Sequence, residues 1–341
     1  MDVEAGLHKN FVILVSQRTS PSTAATPRWS KSRLAAAALL GVSLVLVVVN
    51  PLIGAAPWAA LAGAMLAFVS HPRPAPARTR LEKEHTRTRA VTSPPRVSVV
   101  IPALNEAENL RELLPRLPGG LHEVILVDGG SEDDTVAVAL EQRPSIRVVH
   151  QSDKGKGDAL RLGFEAVTGD AIVMLDADGS ANPAEIPRFI DSLWAGADFA
   201  KGSRFIEGGG SEDITPLRRA GNWGLATSVN LLYGTRYSDL CYGYNAFWTR
   251  CLPYISLDVT GFEVETLINV RLAKAGLVIS EVPSYELNRI HGQSHLRTFR
   301  DGFRVLRTII RESWLNPGMW QRRPETAITL PAAVEAKRSS V

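Results

Sequence analysis

Three short apolar runs, each ending in a polar cluster, constrain the fold of this chain more than any other feature. They occupy residues 97–110, 123–135 and 170–180, and each contains the β-branched and apolar residues typical of a buried strand. Segments of helical length follow the strand-like parts, at 106–117, 134–141 and 156–167. Because strands and helices alternate, the sequence predicts an α/β fold whose parallel sheet is joined by right-handed crossovers.

Polar side chains collect where the predicted strands end. Asn105 and Glu106 follow the first strand, Asp128 ends the second, and Asp176 and Asp178 follow the third. Open parallel sheets bind ligands at the carboxyl ends of their strands. We therefore expect these side chains to line one ligand site.

Taken in order along the chain, these motifs resemble the family 2 glycosyltransferases. Within that family the sequence is most similar to the polyprenyl-phosphate sugar transferases of the dolichol-phosphate-mannose synthase type. The resemblance covers roughly residues 97–312 and implies a GT-A fold, with a mixed, mainly parallel sheet flanked by helices. The matching pieces are 100–106 (VIPALNE), 127–135 (VDGGSEDDT), 154–157 (KGKG), 176–178 (DAD), 202–204 (GSR), Asp239 with Gly243, and 289–294 (RIHGQS).

Asp176 and Asp178 are the candidate metal ligands. The diphosphate of a nucleotide sugar is a poor leaving group unless its charge is neutralised, and a hard divalent cation with oxygen ligands can neutralise it. Two carboxylates one residue apart at a strand end can face one cleft, although such a pair is also common in capped turns. We predict a Mg²⁺ or Mn²⁺ site, and the resemblance implies that Asp178 contacts the metal and Asp176 the ribose or the metal.

The donor half of the predicted site would bind a UDP- or GDP-linked sugar. The resemblance assigns Asp128 to the base edge and the loop after the first strand to the base and ribose. Lys154 and Gly157 open a helix, where backbone amides and a lysine suit an anion. Asn105 and Ser131 also have the chemistry of helix caps, and we expect Ser131 to be one. The predicted nucleotide-sugar contacts are Pro102, Ala103, Asn105, Glu106, Asp128, Lys154, Gly157 and Asp176.

The acceptor half would bind a phosphate. Asp239 is a candidate base, or a group that orients the acceptor or a metal, because a phosphate acceptor is already an anion. By resemblance, Glu263 and Glu265 start a helix beside the reaction centre, although helix N-termini favour acids in any case. Charge-assisted hydrogen bonds suit phosphate. The predicted phosphate contacts are Arg204, Arg289, Ser294 and His295, where His295 replaces a lysine of the family.

Two uncharged apolar runs, 34–49 and 52–69, predict a transmembrane helical hairpin over 34–70. The alternative, a pair of buried soluble helices, would normally carry a polar face. Basic residues flank the hairpin on both sides, so the positive-inside rule predicts a two-helix membrane protein with its catalytic domain in the cytoplasm. Residues 299–314 predict an amphipathic helix that lies at the membrane surface.

The remaining segments complete the predicted domain organisation. Residues 1–33 are expected to be a disordered cytoplasmic segment, 71–96 a basic Pro-rich linker, 97–316 the transferase domain and 317–341 a disordered tail. The formal net charge of +3 gives no argument for nucleic-acid binding. Cys241 and Cys251 fit no metal-ligand spacing. The sequence leaves open whether the chain forms a homo-oligomer.

These features predict an inverting, metal-dependent enzyme that moves a hexose from a nucleotide-diphosphate sugar to polyprenyl phosphate. One alternative is a family 2 transferase acting on a polysaccharide or glycolipid hydroxyl, but the chain lacks the Gln-x-x-Arg-Trp motif of the processive synthases. An alternative of another class is a non-catalytic nucleotide-sugar or lipid-binding module. That module would not need the acids that this chain retains.

Overall fold

The computed structural model of this protein describes residues 94–292 and 297–315. The predicted transmembrane hairpin at 34–70, the predicted segments 1–33 and 317–341 and almost all of the linker at 71–96 lie outside the described residues. Ser294 and His295 also lie outside them. Within residues 94–292 and 297–315, no helix has both the length and the apolar character needed to cross a membrane.

The centre of the described domain is a mixed sheet of seven strands in the order β3-β2-β1-β4-β7-β5-β8. Neighbouring strands are parallel except at β4–β7 and β7–β5, where the insertion of β7 makes the pairing antiparallel. A small parallel pair, β6–β9, lies apart from it. The strands are β1 (Val97–Ala103), β2 (Glu123–Asp128), β3 (Arg147–His150), β4 (Ala171–Met174), β5 (Phe199–Ser203), β6 (Gly210–Ser211), β7 (Asn245–Trp248), β8 (Ile279–Pro283) and β9 (Tyr285–Glu286).

Helices surround this sheet and bury its strands. The side chains of β4 and β7 are buried throughout, as expected for strands covered on both faces. The helices are α1 (Ala107–Leu113), α2 (Thr135–Gln142), α3 (Lys156–Ala166), α4 (Ile186–Trp194), α5 (Pro216–Tyr233), α6 (Leu252–Ile255), α7 (Val264–Lys274) and α8 (Thr298–Trp314). Gly163 lets α3 approach the sheet, because a Cβ there would be 2.4 Å from Cγ1 of Val100 in β1.

The predicted α/β architecture with its mainly parallel sheet is confirmed. The three predicted strands are β1, β2 and β4, and they pair in parallel as expected. The predicted helices correspond to α1, α2 and α3. β3, a four-residue strand at the edge of the sheet, is not among the predicted strands.

A buried ion cluster attaches the last described helix to α7. Glu312 of α8 is fully buried, and its carboxylate pairs with Nη2 of Arg271 at 2.9 Å and with Nζ of Lys274 at 3.1 Å. Lys274 also donates to the backbone oxygens of Glu312 and Leu315. Removing one partner of a buried ion pair is strongly destabilising. The cluster therefore holds α8 firmly against α7, the helix whose first turn contains Glu265.

Candidate active site

The donor half of the site begins where β1 and β2 end side by side. Ala103 at the end of β1 pairs in register with Asp128 at the end of β2. Asp128 is buried, and its carboxylate accepts hydrogen bonds from the backbone of Ser131 at 3.1 Å and from His150 at 3.4 Å. Burial raises the pKa of Asp128, but these hydrogen bonds outweigh it and hold the pKa below its usual value. Asp128 is therefore a carboxylate at neutral pH, able to accept hydrogen bonds from a ligand.

The loop after β1 is held in place by the loop after β2. Asn105 has a left-handed backbone (φ 56°), and its Oδ1 accepts a hydrogen bond from the amide of Glu132 at 2.8 Å. Asn105 is therefore not the helix cap that its side chain allowed, since the amide of Ala107 donates to Asp133 instead. Ser131 does not cap α2 either, because its hydroxyl accepts from the amide of Asn105. Both capping interpretations are wrong for the same reason: polar groups of the two loops form hydrogen bonds with each other instead.

Asp176 and Asp178 follow β4, separated by the buried Ala177. Their side chains are 36% and 21% exposed, so both reach the cleft at the carboxyl end of the sheet. Within the described residues no three His, Cys, Asp or Glu side chains form a metal cluster. Magnesium, however, is usually bound through one or two carboxylates together with substrate phosphates. The donor set of Asp176 and Asp178 fits such an ion.

Lys156 lies at the site, although it is not among the residues predicted from the sequence. Its Nζ lies 2.7 Å from Oδ1 of Asp176 and 2.6 Å from Oε1 of Glu265. Burial by itself would lower the pKa of Lys156, but the two carboxylates outweigh it and raise the pKa above its usual value. Lys156 is therefore an ammonium that joins the predicted metal ligand Asp176 to the predicted acceptor-side residue Glu265. Below, these three residues are called the Lys156 cluster.

The turn before α3 explains why Lys156, and not Lys154, enters the cleft. The amide of Gly157 donates to the carbonyl oxygen of Thr260 at 3.0 Å, and a Cβ at Gly157 would be 1.9 Å from the oxygen of Val259. These contacts fix the turn with Lys154 exposed. They also engage the amide of Gly157 that was expected to bind the donor, so the geometry favours a packing role for this glycine.

Arg204 and Asp239 form a separate buried cluster. Arg204 donates from Nε and Nη2 to both oxygens of Asp239, at 2.7 and 3.0 Å, and from Nη1 to both oxygens of Glu286. Burial raises the pKa of Asp239, but Arg204 outweighs it and lowers the pKa. Asp239 is fully buried and has both oxygens engaged, so the orienting role fits its geometry better than the role of a base. Similarly, the contacts of Arg204 favour a structural role over the predicted grip on phosphate.

Arg289 does lie at the site. Its Nη2 is 3.0 Å from Oε1 of Glu106 and 3.4 Å from Oδ2 of Asp178, so it connects the donor loop to the candidate metal ligands. The side-chain amide of Asn109 in α1 holds the segment after Arg289 through hydrogen bonds with both backbone groups of His291. Burial is the main cause that raises the pKa of Glu106, and Arg289 opposes it.

The two acids at the start of α7 have different surroundings. Glu265 belongs to the Lys156 cluster, and burial raises its pKa despite the neighbouring ammonium. Glu263 immediately precedes the helix and accepts a hydrogen bond from the amide of Gly261 through Oε1. Its Oε2 is buried and has no hydrogen-bond partner among the described residues. Glu265 therefore lies next to the candidate metal site, whereas the side-chain hydrogen bond that Glu263 makes within the described part of the chain is with Gly261.

Known proteins are similar to this chain in sequence and in fold. The model of a family described as "Glycosyl transferase family 2" matches residues 98–251. An undecaprenyl-phosphate mannosyltransferase of Micrococcus luteus is 33% identical over 215 residues, which are 59% of this chain and 87% of that protein. A dolichol-phosphate mannosyltransferase of Pyrococcus furiosus is 32% identical over 228 residues, 63% of each chain.

Solved structures show the same fold at lower identity. Glucosyl-3-phosphoglycerate synthase of Mycobacterium tuberculosis, crystallised with Mn²⁺, UDP-glucose and phosphoglyceric acid, superposes with a TM-score of 0.53. The two proteins are 23% identical, and the likeness covers 65% of this chain and 81% of the synthase. At that identity the comparison concerns the fold alone. It supports the GT-A fold expected from the sequence.

Proposed function

The chain belongs to glycosyl transferase family 2, and from that premise we propose that it transfers a hexose from a nucleotide-diphosphate sugar to a polyprenyl phosphate. The observation that carries the proposal is the meeting of Asp176, Asp178 and Arg289 at the carboxyl end of the sheet. Two acids there suit a metal-bound diphosphate, and the arginine suits an anionic acceptor. The names of the relatives support polyprenyl phosphate as that acceptor.

Asp176 and Asp178 are the side chains that would hold the divalent cation, Mg²⁺ or Mn²⁺. When bound, such an ion neutralises the charge that develops on a departing diphosphate. In the proposed binding mode, Asp128 contacts the base edge of the donor, and Glu106 contacts its ribose. Lys156 keeps Asp176 and Glu265 together and adds positive charge beside them.

In the proposed reaction a phosphate oxygen of the acceptor attacks the anomeric carbon from the face opposite the leaving group. The bond from that carbon to the donor diphosphate breaks as the new bond forms, so the configuration is inverted. Arg289 would hold the acceptor phosphate. An acceptor that is already anionic requires no removal of a proton, which agrees with the buried and fully paired state of Asp239.

A donor screen on the membrane fraction tests the proposed function. Membranes that contain the chain are incubated with radiolabelled UDP- and GDP-hexoses, polyprenyl phosphate and Mg²⁺ or Mn²⁺. We expect the label to enter an organic-soluble product that mild acid hydrolyses, as a glycosyl phosphate should. Equal transfer to a polyprenol without phosphate, or to a sugar hydroxyl, would favour the alternative acceptor class.

Arg289→Lys tests the acceptor contact. Arginine pairs with phosphate through a planar fork that lysine lacks. Loss of a charge-assisted hydrogen bond is worth roughly 1.5–3 kcal/mol, so KM for polyprenyl phosphate should rise about ten- to a hundredfold. The KM values for donor and acceptor are measured separately at saturating concentrations of the other substrate. An equal rise in both KM values would indicate that Arg289 acts through Glu106 on donor binding instead.

We also propose that α5 and α8 contact the membrane that contains the acceptor. The two helices pack against each other and expose large apolar side chains. Arginines of α8 accompany them, as is typical of a helix at an anionic lipid surface. The exposed apolar residues of the two helices are Leu217, Trp223, Phe299, Phe303, Ile310 and Trp314.

Tryptophan quenching tests that contact in the full chain. Trp223 and Trp314 are 67% and 79% exposed on α5 and α8, and Trp194 is 46% exposed on α4. In vesicles with brominated acyl chains, and in a Trp58→Phe background because Trp58 lies in the predicted hairpin, we expect replacement of Trp223 and Trp314 by phenylalanine to lower the quenchable fluorescence clearly. Trp194→Phe is the matched control and should remove little of it. The opposite pattern would place the lipid on another face.

A further inference from the structure

The backbone of residues 238–243 is irregular and largely buried, yet it reaches the centre of the site. Buried backbone amides and carbonyls must find partners, and here side chains from several elements supply them. Glu281 of β8 accepts from the amides of Ser238 and Asp239, and Asn222 of α5 accepts from those of Leu240 and Cys241. The segment is therefore held from outside rather than by its own hydrogen bonds.

The end of this segment touches the Lys156 cluster. A Cβ on Gly243 would lie 2.7 Å from Oε1 of Glu265, 3.0 Å from Oδ2 of Asp176 and 3.1 Å from Nζ of Lys156. The backbone of Gly243 thus forms one wall of the cluster, with no space for a side chain. Any shift of Gly243 would change the positions that Asp176 and Glu265 can occupy.

Lys201 holds that wall in place. Its side chain is fully buried in β5, and Nζ donates to the carbonyl oxygen of Tyr242 at 2.7 Å and to that of Gly202 at 3.0 Å. Asn245 of β7 also donates to the carbonyl oxygens of Tyr242 and Gly243. Among the described residues, Lys201 makes no ion pair, which is a costly arrangement for a buried ammonium.

We propose that Lys201 is a positioning residue, whose buried ammonium holds the Tyr242–Gly243 backbone against the Lys156 cluster. Burial lowers the pKa of Lys201 below its usual value, and the carboxylates of Asp239 and Glu265 oppose that effect without cancelling it. Arg204 and Glu281 also face Lys201. Arg204 lowers the pKa of Lys201 further, and Glu281 raises it. In this role Lys201 fixes the backbone beside the acceptor half of the site and does not itself contact a substrate.

The first test does not depend on activity. Lys201→Met retains most of the length of the side chain and removes its charge and hydrogen bonds. We expect amide hydrogen exchange across residues 238–243 to accelerate about tenfold or more, and exchange in β1, β2 and β4 to stay unchanged. Lys274→Met is the matched control, because Lys274 is another buried lysine, at the opposite end of α7 from Glu265. It should leave residues 238–243 unchanged.

The second test is kinetic and rests on the proposed function for its assay. Lys201→Met should lower kcat about thirtyfold or more and change the donor KM by less than about threefold, because the donor loops keep their contacts. Gly243→Ala should have a similar effect, since its Cβ enters the Lys156 cluster. If Lys201 acts through Gly243, the double variant should be no more than about twofold slower than the slower single variant.

These outcomes separate the positioning role from general destabilisation. Unchanged exchange at 238–243 in Lys201→Met would overturn the proposal, as would additive kinetic effects of Lys201→Met and Gly243→Ala. An equal loss of kcat in Lys274→Met would also overturn it. If the wild-type chain does not label polyprenyl phosphate, the proposed function fails, and the exchange measurement still decides the role of Lys201.

Discussion

Asp178→Asn is expected to lower the transfer rate about a thousandfold or more, which corresponds to roughly 4 kcal/mol of transition-state stabilisation. The variant keeps an oxygen that can accept from the amide and hydroxyl of Ser180, the two groups that hold Oδ1 at 3.0 and 2.7 Å. It removes the charge that a divalent cation requires. The fold should therefore persist, and the midpoint of thermal unfolding should change little.

The measurement is single-turnover transfer at several concentrations of Mg²⁺ and Mn²⁺, with and without a chelator. Asp170→Asn is the matched control. Asp170 is an acid at the other end of β4 and pairs with Arg96 at the surface. This control should retain wild-type activity. Full activity of Asp178→Asn, or of the wild type in chelator, would exclude a metal-dependent mechanism at this site.

Lys156→Met should reduce both stability and turnover. The substitution leaves Asp176 and Glu265 close together without their shared cation, and removing one partner of a buried pair costs about 3–5 kcal/mol. We expect kcat to fall about a hundredfold, because the carboxylates must then separate or become protonated. Urea unfolding at constant m-value measures the first effect, and steady-state kinetics measures the second.

Lys154→Met serves as the stability control for this prediction. Lys154 is exposed two residues earlier in the same turn, so its replacement should change the free energy of unfolding by less than about 0.5 kcal/mol. Comparison of the two variants also tests which lysine contributes more to turnover. A large loss of turnover in Lys154→Met with little loss in Lys156→Met would favour the sequence-based assignment over the geometry.

The elements that the sequence predicts well are those whose signal is local. The strands at Val97 and Glu123 are runs of β-branched residues buried on both faces, and such runs have few alternatives. The strand Arg147–His150 has only two apolar residues and lies at the sheet edge with both ends exposed. This strand forms because it pairs with β2, and its own residues carry no clear strand pattern. A local pattern therefore could not predict it.

The candidate active site shows even more clearly what local sequence patterns cannot predict. Acids at strand ends were predictable because the topology of a parallel sheet brings strand ends together. Which of two lysines enters the cleft depends on the carbonyl groups of Val259 and Thr260, about a hundred residues away in the chain. Likewise, the arginine in the Gly-Ser-Arg motif could have faced a ligand. Only the fold shows that Asp239 and Glu286 occupy it.

The ion cluster around Glu312 has a practical consequence for shortened versions of the enzyme. A protein that ends before Glu312 would deprive Lys274 of its carboxylate partner and of the backbone oxygens of Glu312 and Leu315. It would also remove one carboxylate from Arg271. An expression boundary intended to isolate the catalytic domain should therefore fall after Leu315. Even though α8 contributes no residue to the candidate active site, the helix belongs to the minimal unit to be produced and crystallised.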